Sequence, residues 1–164
     1  MWGFQLWVNL PAKDKMIAPR YQDIAPERIP TVDLGAGARA KVIAGILNGV
    51  AGPVQGAATE PLFIDLALDA GATATLPIAP GHNAFAYVYD GAVDVGQPAQ
   101  RLARDTLAVL SPGDAVAIVG VQPARLILVA GKPLREPVAK YGPFVMNTQA
   151  ELHQAVLDYQ AGRF

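Results

Sequence analysis

The chain has 164 residues, enough for one domain with a sizeable core, and its 16% of charged side chains falls well below the roughly 25% of average soluble domains. Thirteen basic against fourteen acidic residues leave a net charge of −1 with no basic block, which excludes the electrostatic footprint of nucleic-acid binding. The absence of cysteine excludes disulfides, thiolate metal sites and a cysteine nucleophile, and is compatible with a cytoplasmic location.

The first element in chain order is "GFQLWVNLPAKDK". Phe4, Leu6, Val8 and Leu10 alternate with Gln5, Trp7 and Asn9, a period of two that predicts a half-buried strand over 4–10, ended by Pro11. A large aromatic on its second face calls for neighbours on both faces. Gln5, Asn9 and Pro11 interrupt the run too often for a signal peptide. In "TVDLGAGARA", Gly35, Gly37 and Ala40 imitate a dinucleotide-binding G-x-G-x-x-A. The glycine-rich "KVIAGILNGVAGP" that follows does not open a helix, so the pattern reads as a glycine turn. Residues 42–59 carry no charge and are long enough to raise the question of a membrane span. Gly45, Gly49, Gly52, Pro53 and Gly56 break them into strand, turn and strand.

Across 30–138 the apolar runs "KVIAGIL", "FIDLAL", "ATLPIA", "AFAYVY", "TLAVL", "AVAIVG" and "ARLILVAG" alternate with punctuation such as "DAGA", "APGHN", "YDGAV" and "LSPGD". That spacing predicts a β-sandwich or barrel. His82, in "PGHNAF", has no second histidine or carboxylate at ligand spacing and reads as a solvated turn residue. Helical patterning comes once. Thr148 and Glu151 form a capping box, Leu152, Ala155, Val156 and Tyr159 share one face, and Gly162 is placed to stop the helix. His153 points away from that apolar stripe.

The segments "GFQLWVNLPAKDKMIAPRYQDI" and "GKPLREPVAKYGPFVMNTQAEL", with "DYQAGRF" after them, resemble the signature segments of pirins, and the resemblance runs over essentially the whole chain. It implies a mainly β fold: a single cupin-type antiparallel β-barrel or jelly roll with a C-terminal α-helix, corresponding to the C-terminal half of a two-cupin architecture. The resulting division is 1–29, a linker strand and loop leading from an N-terminal cupin; 30–138, a degenerate barrel; and 139–164, a loop and amphipathic helix packed on the barrel. In pirins the N-terminal cupin carries an iron site of histidines and a glutamate.

The general cupin metal pattern can be laid on the barrel with its glycines at Gly71 and Gly91. The histidine places then fall on Pro77 and Ala79 and the glutamate place on Ala84, while a second pattern over Ser111 and Gly113 puts its histidine at Val116. None of these side chains binds a metal. The expectation is therefore no catalytic residue, no metal ligand and no cofactor in this chain, with iron only in the N-terminal cupin. The favoured role is a metal-free scaffold that braces that cupin, with Trp7, Asn9, Arg20, Tyr21 and Phe144 as candidate interdomain contacts. The expected partner is the N-terminal cupin or a second copy of this chain, as a homodimer that exchanges its first strand; neither nucleic acid nor membrane is expected. Two alternatives stand beside this: a fragment of a pirin-type quercetin 2,3-dioxygenase that is inactive alone, and a free-standing small-molecule or protein-binding module that uses the barrel mouth.

Overall fold

Short runs with a period of two dominate the described residues, which hold fourteen strands, ten of them in two stacked sheets. The computed structural model describes residues 3–163. Its strands are β1 Thr31–Gly35, β2 Ala38–Ala44, β3 Ile46–Leu47, β4 Val50–Ala51, β5 Leu62–Leu68, β6 Thr73–Pro77, β7 Asn83–Asp90, β8 Ala92–Val95, β9 Gln100–Ala103, β10 Thr106–Val109, β11 Ala115–Gly120, β12 Ala124–Gly131, β13 Ala139–Tyr141 and β14 Phe144–Met146. One helix, α1, spans Gln149–Gln160. The larger sheet has the order β1-β2-β5-β12-β7-β10 and the smaller β6-β11-β8-β9, and every pairing within them is antiparallel. The jelly roll is thus a sandwich: among the described residues no pairing closes it into a continuous barrel.

Alternation selects the core. On β5, Leu62, Ile64, Leu66 and Leu68 are buried while Phe63, Asp65 and Ala67 lie on the other face. On the opposing sheet Ala74 and Leu76 of β6 join Val116 and Ile118 of β11 in the same apolar cluster. Each fully buried Leu or Ile contributes roughly 1.5–3 kcal/mol through surface removed from water. The inner strand β12, paired with β5 on one edge and β7 on the other, is buried on both faces from Leu126 to Ala130.

Turn chemistry fixes register. The "GAGA" stretch closes the β1–β2 hairpin with Ala36 and Gly37 both at positive φ, as a glycine turn and not a phosphate loop. A Cβ at Gly37 would meet a carboxylate oxygen of Asp69 at 2.6 Å. The uncharged stretch 42–59 is the expected strand and turn, and among the described residues no helix is long and apolar enough to cross a membrane.

Two expectations are corrected. Residues 4–10 form no strand: the segment lies outside every sheet and leads into a short 3-10 helix, Ala12–Asp14. Its alternation lacks a neighbouring strand to hydrogen-bond, and without a ladder a period of two specifies nothing. "YDGAV" is not simple punctuation either, since Ala92 opens β8 directly after the turn at Gly91. Gly91 has φ +71, and a Cβ there would overlap the Pro123 carbonyl oxygen and lie 2.8 Å from Ala124 Cα.

The chain divides into two compact units: the sandwich, 22–133, and a flanking unit made of 3–21 with 134–163. Within the flanking unit the Ala12 amide donates to Glu136 Oε2 at 2.7 Å, and Lys15 Nζ donates to Asn9 Oδ1 at 2.7 Å and to the Val145 carbonyl at 2.9 Å. The capping box forms as expected, with Thr148 Oγ1 accepting from the Glu151 amide and the Glu151 carboxylate accepting from the Thr148 amide. Leu152 and Ala155 are buried, His153 is exposed, and Gly162 at φ +67 ends the helix.

Candidate functional site

The sandwich carries two cavities, of about 630 and 660 Å³, and both draw on the strand ends and loops around β6 and β7. The cupin-pattern positions divide between them. Ala84 and Val116 are buried and line the first cavity, whereas Pro77 and Ala79 are exposed on the opposite face of their segment and line the second. The inward residues there are Leu76 and Ile78, and Leu76 sits in register with Val116. The sequence alignment of the pattern is therefore one residue out of phase with the pleat on β6. Leu76, Ile78, Ala84 and Val116 are hydrocarbon side chains, so these four positions offer no metal donor. Among the described residues no group of three His, Cys, Asp or Glu is placed to hold a metal ion.

His82 departs from the solvated turn residue expected of it. Its side chain is 7% exposed and lines both cavities, with Glu60 Oε2 at 4.0 Å from Nε2, beyond hydrogen-bond range. The backbone accounts for this placement: the His82 amide donates to the Ala79 carbonyl in a tight turn that leads into β7 and turns the ring inward.

The candidate contact residues all fall in the flanking unit. Trp7 is 70% exposed and Tyr21 90%, Arg20 is exposed, Asn9 accepts from Lys15, and Phe144 packs edge-on against Tyr159 with ring centroids 5.8 Å apart.

A polar cluster on the far face of the larger sheet was not foreseen. Tyr89 OH donates to Asp65 Oδ1 at 2.6 Å, Arg125 Nη2 donates to Asp65 Oδ2 at 3.0 Å, and the guanidinium lies 5.4 Å from the Tyr89 ring centroid. The register slips between Arg125 and Leu126, which pair with Asp90 and Val88, leaving Tyr89 as the extra residue of a bulge. Burial, reinforced by the Asp65 hydrogen bond, pushes the Tyr89 hydroxyl far above its ordinary pKa and keeps it a neutral donor. A lone carboxylate in the apolar run "FIDLAL" was the available signal.

Residues 63–164 match the family model of the pirin C-terminal cupin domain. A pirin-like protein of Caulobacter vibrioides is 45% identical over 100% of this chain and 59% of its own length, and human pirin is 41% identical over 96% of this chain and 55% of its own. A crystal structure of quercetin 2,3-dioxygenase from Acinetobacter baumannii superposes with a TM-score of 0.89 at 36% identity, covering 96% of this chain and 55% of that one. The chain thus spans 55–59% of the length of these relatives.

Proposed function

The chain belongs to the pirin family, as its C-terminal cupin, and on that premise we propose that it is a metal-free brace for a metal-bearing cupin and carries no redox chemistry of its own. The observation that supports this reading is the chemistry of the inner face, where Ala84 and Val116 stand at positions a metal-binding cupin fills with donors. The flanking unit supplies the contact surface, with Trp7 and Tyr21 presented to a partner. That partner is an N-terminal cupin, the source of iron, or, in its absence, a second copy of this chain. The compartment assumed is the cytoplasm, and neither nucleic acid nor membrane enters the reading.

The likeness to a protein named quercetin 2,3-dioxygenase favours a second reading, in which this domain walls one side of a flavonol site whose metal lies elsewhere. The two readings share a test. The part of the Caulobacter relative that precedes its matched region is fused ahead of Gly3, and metal content is measured by elemental analysis for the fusion and for this chain. The fusion is expected to retain iron after dialysis against a chelator and this chain to retain none. Trp7→Ala should destabilise the fusion by roughly 3–5 kcal/mol, the cost of emptying a buried aromatic site, while leaving its iron in place. Stoichiometric transition metal in this chain alone would overturn the brace. Oxygen consumption with quercetin by the fusion decides for or against the second reading.

A further inference from the structure

The first cavity of the sandwich has a use that the bracing role does not require. Its volume, about 630 Å³, lies within the range of small-molecule sites. No Asp, Glu, Lys or Arg contributes to its wall among the described residues. Leu102, Leu110 and Val116 supply an apolar floor, and Gln97, Gln100 and Ser111 supply carboxamide and hydroxyl groups around it. Ala84, Ala108, Gly96 and Gly113 are small enough to leave the space open, where larger apolar side chains would have filled a purely structural core. An independent observation points the same way. The His82 side chain is 93% buried at the wall, and its Nε2 is 4.0 Å from its only ionic neighbour among the described residues, Glu60, too far for a hydrogen bond. The ring thus borders the cavity with hydrogen-bonding capacity that a molecule bound there can take up in place of water.

We infer that this cavity binds an uncharged organic molecule with an apolar body and a hydrogen-bonding edge, anchored by His82. Neutrality follows from the wall. A carboxylate or ammonium entering would give up its hydration without meeting a charged group in the cavity wall, whereas an amide, phenol or hydroxyl is served by the carboxamides and the imidazole. The inference is independent of the bracing role, since it concerns only residues of the sandwich.

The test uses the full chain, isotope-labelled for NMR, in mildly alkaline buffer, with benzamide as the neutral probe and benzoate and benzylammonium as its charged shape-mates. Benzamide should shift the amide signals of Gly96, Gln97, Gln100, Ser111 and Gly113, and the two ions should bind at least about tenfold more weakly. His82→Phe keeps ring volume and removes the hydrogen bond, and should weaken benzamide by about fivefold to tenfold. Ser111→Trp alters an exposed position at the rim and should block entry without touching the core. The inference is overturned if benzamide shifts nothing up to about 10 mM, a range that includes weak fragments. It is equally overturned if the shifts centre elsewhere, if either ion binds as well as benzamide, or if folded His82→Phe or Ser111→Trp binds unchanged.

Discussion

The sandwich and the flanking unit handle apolar side chains in opposite ways. In the sandwich, Leu66, Leu76, Leu126 and Leu128 disappear into one cluster because paired strands alternate their faces toward it. In the flanking unit Trp7, Met16, Ile17, Tyr21 and Tyr141 remain exposed, and the segments are joined through polar ties such as Ala12 to Glu136 and Lys15 to Val145. Two folding strategies thus coexist in one chain. The first maximises removal of surface from water; the second leaves apolar surface exposed.

Substitutions can sharpen that contrast. The largest effect is expected at Leu66→Ala, which should lower stability by about 2–5 kcal/mol in chemical denaturation, since the side chain is fully buried. Gly91→Ala should fall close behind, at about 2–4 kcal/mol, because it combines positive φ with overlap of the Pro123 carbonyl. Tyr89→Phe removes the donor to Asp65 but leaves Arg125 beside the carboxylate, for an expected loss of about 1–3 kcal/mol. Equal losses for Leu66→Ala and Trp7→Ala in this chain would erase the distinction between the two units.

Smaller effects belong to the flanking unit. Thr148→Ala should cost about 1 kcal/mol, read as faster hydrogen exchange confined to α1. Acid should act at the same place. The Thr148 hydroxyl, together with the Thr148 and Asn147 amides, holds the Glu151 carboxyl below its usual range. A depressed folded-state value gives stabilisation that is present above the unfolded carboxylate range and is lost as pH falls through the folded value. Helix signal should therefore decline at the acid end, and Glu151→Gln should remove that dependence. Trp7→Ala should be nearly silent in this chain, within about 0.5 kcal/mol, because the indole is largely in water.

Much of this was readable from sequence, for reasons that differ between elements. The runs of β5, β7, β11 and β12 announced themselves because each is long enough to carry a period of two into a shared core. The helix was legible because Thr148 and Glu151 are local chemistry, settled within one turn. Residues 4–10 misled because alternation states what a strand would do if paired and is silent on whether a partner exists. β8 and β9 were missed as short strands, one of them an edge, and the edge strand pairs its Arg101 with Asp94 of β8. The cupin pattern fixed spacing but not facing, so Pro77 and Ala79 were read where Leu76 and Ile78 point inward. The burial of His82 could not be read at all, since its surroundings come from Glu60, Leu110 and Val116, brought near only by the folded sheets.

The flanking unit is also assembled from positions made at very different times. The ties from Ala12 to Glu136 and from Lys15 to Val145 span 124 and 130 residues of sequence, while every pairing of the two large sheets lies within 31–131. In N-to-C synthesis every strand of the sandwich is therefore made before Glu136 and Val145. Residues 3–21 therefore await partners that are made later than any strand of the sandwich, and the unit that carries Trp7 and Tyr21 cannot be completed before them.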